Sequence, residues 1–301
     1  PMNPSYKDTF KAYSEAVDQR SNGAWQAARF GAIAVLVRSM TLKKDAYAHT
    51  GAVNYQDSLP RIPAMALSTE DADWLSNTLK SGVDCRASLQ LSATWFADTL
   101  SHNVVGEIRG TQKRDEIITI GGHLDSWDLG EGAHDDGAGI VHSLEAIRLM
   151  KKNKIKPVHT IRCVLFMNEE NGNRGGLTYA KLAAERGEKH IAAMESDRGG
   201  FKPEAFSVDA SETALAAVKQ LQPQLDKSGI KEIYAGYGGV DIGPLKKVNP
   251  GIVLIGLVPE STLYFNYHHA ETDVLEAVNP DHLQAGAQAF YEMLVLIDKN
   301  L

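Results

Sequence analysis

Histidine and carboxylate side chains recur where predicted strands end and in the turns beside them. These segments are His123, Asp135, the pair Glu169-Glu170, Asp197 and the pair His268-His269. Imidazole and carboxylate groups are the nitrogen and oxygen ligands that zinc prefers. In open α/β sheets, functional groups collect beyond the carboxyl ends of the strands, so we expect these five segments to share one cleft. Each segment alone has a structural explanation, but the five together favour a functional site, with His269 favoured over His268.

The residue types favour a site for two metal ions, Zn²⁺ in both positions. Two cations a few ångströms apart need a bridging ligand, and the two oxygens of the Asp135 carboxylate suit that role. We assign His123 and Asp197 to one zinc ion, and Glu170 and His269 to the other.

Hydrolysis is the reaction that such a site supports. A metal ion lowers the pKa of bound water to about 7, and a nearby carboxylate takes the proton and passes it to the leaving amine. Glu169, beside a predicted ligand, is the predicted general base. Asp125 lies two residues after His123, and its carboxylate is expected to accept the free imidazole N–H and fix the tautomer.

Other polar residues in these segments have two interpretations each. Asp136 is expected to cap the helix that follows it. Arg198 either contacts a substrate carboxylate or pairs with a neighbouring acid, and the second is favoured. Tyr234 and Tyr237 either reach the oxyanion of the reaction or pack, and packing is favoured.

The composition excludes several other classes of protein. The 301 residues are 43% hydrophobic and 23% charged, with a formal net charge of -7, which is ordinary globular composition. No basic patch suggests nucleic acid, and no apolar run approaches the ~18 residues of a membrane helix. No signal peptide is visible, but the chain opens at Pro1 without an initiator Met, which leaves the removal of an N-terminal segment open. Cys163 is expected to be a buried thiol, and a bridge to Cys85 has no support.

The chain changes character between residues 97 and 103. From Asn103 onwards strands and helices alternate, which predicts an α/β fold. The predicted strands cover 104–108, 116–120, 161–167, 191–194 and 251–257, and the predicted helices cover 138–152, 177–186, 212–225 and 280–297. Before this boundary we predict strands at 31–37 and 62–67, a short helix at 24–30, and a helix from Ser68 or Thr69 to Gly82. His49 and His102 are expected on the surface.

The motifs around the predicted ligands resemble a known family. They are Gly-Gly-His-Leu-Asp-Ser-Trp-Asp at 121–128, Gly-Ala-His-Asp-Asp-Gly-Ala-Gly at 132–139, Asn-Glu-Glu-Asn-Gly at 168–172, Met-Glu-Ser-Asp at 194–197 and Tyr-His-His at 267–269. They are similar to the co-catalytic zinc peptidases that include bacterial leucyl aminopeptidase and glutamate carboxypeptidase. The resemblance implies a three-layer sandwich around a mixed, mostly parallel sheet. It also implies two zinc ions on the ligands assigned above, Glu169 as base, a short peptide or dipeptide substrate, a secreted or periplasmic protein, and a homodimer.

Residues 1–100 resemble the protease-associated insert domain of the same family. The resemblance lies in His-Thr-Gly at 49–51, Pro-Arg-Ile-Pro at 60–63 and Thr-Glu-Asp-Ala at 69–72. We therefore predict an insert domain at 1–100 and a zinc exopeptidase domain at 101–301. Relatives carry a further N-terminal segment, and they have Asp-Thr after the last histidine where this chain has Asp273-Val274.

These observations predict a di-zinc exopeptidase that hydrolyses dipeptides or short peptides through a metal-bound hydroxide. Whether a free amino or a free carboxyl terminus is selected stays open. Two alternatives are a catalytically silent, receptor-like binding protein on the same scaffold, and an amidase or cyclase of the same family.

Overall fold

The chain divides into two compact units in the computed structural model, which describes residues 1–6 and 8–301. The first unit contains Pro1–Leu100, Trp127–Gly130 and Phe265–Thr272, and the second unit contains the rest of the chain. All four tryptophans of the sequence lie in the first unit. No helix among the described residues is both long and apolar enough to span a bilayer.

The first unit contains four helices and one two-stranded parallel sheet among its described residues. The elements are α1 (Thr9–Ala16), α2 (Asp18–Ser21), α3 (Gly23–Ala28), β1 (Val35–Arg38), β2 (Ala64–Leu67) and α4 (Thr69–Lys80). Ser68 caps α4 as predicted, because its hydroxyl accepts a hydrogen bond from the Asp71 backbone N–H. Helices α1 and α2 were not predicted.

The second unit is built on a seven-stranded mixed sheet. Its strands are β3 (Val104–Ile108), β4 (Lys113–His123), β5 (His159–Phe166), β6 (Lys189–Glu195), β7 (Pro203–Asp209), β8 (Glu232–Ala235) and β9 (Val253–Pro259). They are arranged in the order β3-β5-β4-β6-β9-β7-β8. The four strands from β5 to β9 are parallel, while β3 and β7 run antiparallel to β5 and β9. The predicted α/β fold with a mixed central sheet is therefore confirmed.

Helices cover both faces of this sheet and give three layers. They are α5 (Ala138–Lys152), α6 (Arg174–Glu185), α7 (Glu212–Lys219), α8 (Gln222–Leu225), α9 (Leu245–Val248) and α10 (Pro280–Asn300). One apolar cluster joins Ile118 and Ile120 of β4 to Phe290 of α10. The other joins Phe166 of β5 to Leu245 of α9. Buried apolar side chains on both faces explain why the central strands read as continuous apolar runs.

Several elements differ from the prediction. Strands β7 and β8 were not predicted, and the helix predicted over 212–225 is split into α7 and α8. Pro223 lies in the first turn of α8, where its missing N–H costs nothing. His49 is buried, whereas we expected it on the surface. Cys163 is buried as predicted, and both cysteines are free.

Candidate metal centre

Strand β4 ends at His123, whose ring orientation is fixed by a backbone carbonyl. The Nδ1 atom of His123 lies 2.7 Å from the backbone oxygen of Asp125. Because a carbonyl oxygen only accepts hydrogen bonds, Nδ1 carries the proton and Nε2 keeps its lone pair for a metal ion. We expected the carboxylate of Asp125 in this role, but its Oδ1 is 3.9 Å from Nδ1.

The carboxylate of Asp125 instead holds the backbone of the two glutamates. It accepts hydrogen bonds from the backbone N–H of Glu169 at 3.0 Å and of Glu170 at 3.3 Å. Asp125 therefore links the loop after β4 to the loop after β5, where the predicted base and one predicted ligand lie.

Four of the five predicted ligands converge in the second unit. His123 Nε2 lies 3.4 Å from Asp135 Oδ1 and 3.5 Å from Asp197 Oδ1. Ligand atoms of His123, Asp135 and Glu170 all lie within 4.8 Å of one another. Among the described residues, neither His123 Nε2 nor Asp197 Oδ1, both buried, makes a hydrogen bond. A buried polar atom without a hydrogen bond is costly, so this set of nitrogen and oxygen donors fits zinc.

The Asp135-Asp136 segment is held by the carboxylate of a residue outside the predicted ligand set. Asp273 accepts hydrogen bonds from the backbone N–H of His134 at 2.7 Å and of Asp135 at 3.1 Å. The peptide bond between Asp135 and Asp136 is cis. The structure thus gives Asp273 a role in holding the turn that carries Asp135.

Asp136 caps α5 as predicted, and it also binds the end of β4. Its Oδ1 accepts from the Gly139 N–H at 3.0 Å, and its Oδ2 accepts from the His123 N–H at 3.1 Å. A side chain on Gly122 would come within 2.2 Å of this carboxylate. Burial and the charge of Asp197 raise the pKa of Asp136 well above its ordinary value.

Sequence reasoning missed two buried acids, Glu195 and Asp241. Glu195 accepts hydrogen bonds from the backbone N–H groups of Val240 at 2.7 Å and Ile242 at 3.0 Å, on either side of Asp241. Neither carboxylate oxygen of Asp241 makes a hydrogen bond among the described residues. Burial and nearby carboxylates raise the pKa of Glu195 to about 8 and that of Asp241 well above its ordinary value. The available signal was a glutamate closing an apolar strand two residues before Asp197.

Glu169 lies in the same acidic environment. Burial and the charges of Asp197, Glu170 and Asp135 together raise its pKa to about 8, against the opposing effect of His123. Burial also raises the pKa of Asp197, while His123 and Arg198 lower it partway. The proximity of Arg198 to Asp197 agrees with the favoured pairing of this arginine with an acid.

His269 lies in the first unit, so its role as a zinc ligand stays a prediction. Its Nδ1 lies 3.1 Å from the backbone oxygen of Thr50, and its ring is stacked on His268 with centroids 3.5 Å apart. The Trp127 ring lies 5.4 Å from the His269 ring.

Tyr237 is half exposed, and burial with the charges of Glu195 and Glu169 raises its pKa to about 12.

Comparison with known proteins agrees with this geometry. The profile of Peptidase family M28 matches residues 103–294. Carboxypeptidase Q from Pongo abelii is 34% identical over 282 residues, which are 94% of this chain and 59% of that protein. The human protein of that name is 33% identical over the same shares. This chain therefore spans about 59% of the length of these relatives.

Solved structures agree as well. The crystal structure of a Peptidase M28 precursor from Shewanella amazonensis has a TM-score of 0.92 and 36% identity, over 98% of this chain and 66% of that one. BSAP, a zinc aminopeptidase from Bacillus subtilis, has a TM-score of 0.63 over 91% of this chain and 66% of its own. Because BSAP is only 20% identical, it shows the similarity of the fold alone. The predicted resemblance to a zinc peptidase family is confirmed.

Proposed function

Because this chain belongs to peptidase family M28, we propose that it carries the zinc-binding centre of an exopeptidase that hydrolyses dipeptides or short peptides. The observation that carries the proposal is the convergence of His123 Nε2 with Asp135 and Asp197 at 3.4 and 3.5 Å. Glu170 offers a further oxygen within 4.8 Å of the same histidine and of Asp135. Names of the relatives, carboxypeptidase and zinc aminopeptidase, support the same reaction class.

We assign two zinc ions to these residues. His123 and Asp197 would hold one ion, Glu170 and His269 the other, with Asp135 between them. Zinc supplies a Lewis acid that polarises the scissile carbonyl and activates water. The protein keeps the imidazole of His123 in the tautomer that leaves Nε2 for the metal, through the 2.7 Å contact of Nδ1 with the Asp125 carbonyl.

Glu169 is the proposed general base. Its backbone N–H is anchored on the Asp125 carboxylate at 3.0 Å. Burial and the surrounding carboxylates raise its pKa to about 8, which increases its affinity for a proton. A carboxylate whose pKa lies near the working pH both takes a proton from water and releases it to the leaving amine. Secretion or export to the periplasm and assembly into a homodimer belong to the same proposal.

The experiment compares dipeptide hydrolysis by the wild type and by Glu169→Gln. We expect the glutamine variant to lose activity by about 10²- to 10⁴-fold, because it retains the side-chain shape but cannot carry the proton. Zinc content, measured by atomic absorption, should stay at two ions per chain. Glu185→Gln is the matched control, since Glu185 lies on α6, is exposed and pairs with Lys181 at 3.9 Å. Equal rates for wild type and Glu169→Gln would remove Glu169 from the mechanism.

A further inference from the structure

The His49-Thr50-Gly51 segment pairs with the segment that carries His269, and both lie in the first unit. The Nδ1 of His49 donates to the backbone oxygen of His268 at 2.7 Å. The Thr50 N–H donates to the backbone oxygen of His269 at 3.0 Å, and the Nδ1 of His269 lies 3.1 Å from the backbone oxygen of Thr50. Three contacts therefore fix the backbone and the ring of His269 against residues that lie outside the family match at 103–294.

Arg20 holds the other side of the Thr50 carbonyl. Its side chain is buried, its Nη1 donates to the Thr50 oxygen at 2.9 Å, and its Nη2 donates to the Tyr13 hydroxyl at 2.6 Å. A side chain on Gly51 would lie 2.2 to 2.6 Å from the guanidinium, so the glycine makes this approach feasible. The ion pairs found among the described residues do not include Arg20.

A buried guanidinium without a carboxylate partner is unfavourable unless its donors are used. Here Nη1 donates to a carbonyl and Nη2 to a hydroxyl, whereas the buried Nε makes no hydrogen bond among the described residues. The carbonyl that accepts from Nη1 also faces the Nδ1 of His269. Because a carbonyl oxygen has two lone pairs and only accepts, it can serve Arg20 and His269 together. The proton of His269 then sits on Nδ1, and Nε2 keeps the lone pair.

The same arrangement occurs at the other predicted histidine ligand. His123 Nδ1 contacts the backbone oxygen of Asp125 at 2.7 Å, which also leaves Nε2 for a metal ion. Hydrogen-bond partners behind a ligating histidine set its tautomer and orientation, and their loss lowers metal affinity by about 10- to 100-fold. The Thr50 carbonyl has a second contact, because it also accepts a hydrogen bond from Nη1 of Arg20.

We propose that Arg20 is a positioning residue for His269. By fixing the Thr50 carbonyl, Arg20 keeps the His269 ring in the Nδ1–H tautomer and in the orientation that presents Nε2 to a zinc ion. The effect on zinc rests on the proposed function, which assigns His269 as a ligand. The effect on the tautomer does not depend on that assignment.

The test uses Arg20→Met, which removes the donors and keeps the aliphatic stem, and Arg20→Lys, which keeps the charge but not the two-pronged donor. Arg61→Met is the matched control, because Arg61 lies in the same unit, is exposed and pairs with the exposed Asp57 at 2.9 Å. Two quantities are measured on metal-free protein. Zinc titration by calorimetry gives the affinity of each ion, and ¹⁵N-detected NMR of the histidine rings gives the tautomer of His269.

We expect Arg20→Met to lower the affinity for one of the two zinc ions by about 10- to 100-fold and to leave the affinity for the other unchanged. The His269 tautomer should shift from Nδ1–H towards a mixture, with a smaller shift in Arg20→Lys and none in Arg61→Met. Circular dichroism should show a retained fold. An unchanged His269 tautomer in a folded Arg20→Met variant would overturn the proposal, whatever the zinc affinities.

The failure of the proposed function is visible separately. If His269→Ala still binds two zinc ions with wild-type affinity, His269 is not a ligand and the proposed zinc centre is wrong in that position. The tautomer shift in Arg20→Met would still establish that Arg20 positions the ring. An unchanged tautomer together with zinc loss in His269→Ala would leave the zinc centre standing and remove Arg20 from it.

Discussion

Removing the zinc ions should make the stability of this protein fall as the pH rises from about 5 to about 8. Burial raises the pKa values of Glu169, Glu195 and Asp241, and no metal ion is then present to offset their charges. The folded protein therefore holds protons that the unfolded chain releases. For an acid with a raised pKa in the folded state, stability is complete below the unfolded pKa and is lost as the pH rises towards the folded pKa.

The expected size follows from Glu195. Burial and the charge of Asp197 raise its pKa from 4.5 to about 8. Each tenfold change in proton affinity corresponds to about 1.4 kcal/mol, so ionising this carboxyl across the whole window costs the folded state about 5 kcal/mol. A proton held by Glu195 relieves Asp241 and Glu169, so the three losses do not add. We expect the free energy of unfolding to fall by about 3–5 kcal/mol between pH 5 and pH 8.

The assay is urea unfolding of EDTA-treated protein at several pH values in this window, followed by far-UV circular dichroism. Zinc-loaded protein is the comparison, and there the slope should vanish or reverse, because bound cations favour the ionised carboxylates. Glu195→Gln should flatten the slope of the metal-free protein, while Glu185→Gln, on an exposed turn of α6, should leave it unchanged. Metal-free protein that is as stable at pH 8 as at pH 5 would refute the reasoning.

Two further substitutions test how the metal centre is supported. Asp273→Asn should destabilise the protein by about 1–3 kcal/mol, because it leaves one of the buried N–H groups of His134 and Asp135 without an acceptor. It should also weaken zinc binding, and thermal unfolding with zinc titration measures both; wild-type values for each would contradict the role given to Asp273. Gly139→Ala would place a methyl group 1.7 Å from the backbone oxygen of Ser196, so we expect a loss of at least about 3 kcal/mol, checked by thermal unfolding. A variant that melts with the wild type would show that the α5 approach to Ser196 is not tight.

The central strands and the long helices could be predicted from the sequence, because their burial leaves a clear hydrophobic pattern. Strand β3 has the predicted bounds, and α10 begins at the predicted Asn279-Pro280 cap. Strands β7 and β8 lie at the far end of the sheet order, and their residues alternate less clearly. β7 is a strand because it pairs with β9 and not because of its local propensity. A prediction made for each segment by itself therefore missed it.

The side-chain types at the candidate centre were also predictable, but their hydrogen-bond partners were not. His123, Asp135, Glu170 and Asp197 converge as the strand ends suggest. The partner of the His123 ring is a backbone oxygen rather than the Asp125 carboxylate. Every residue offers a carbonyl, so no sequence pattern identifies which one accepts. For the same reason the contact of Arg20 could not be predicted, because its acceptor is the backbone carbonyl of Thr50.

The contact between Trp127 and His269 gives the protein an intrinsic optical reporter. The two rings are 5.4 Å apart, and a protonated imidazole quenches the emission of a neighbouring indole, whereas a neutral or metal-coordinated one does so less. All four indoles belong to the first unit, so the fluorescence comes from that unit and not from the unit with the seven-stranded sheet. Emission from Trp127 therefore follows the charge on one imidazole without any added dye.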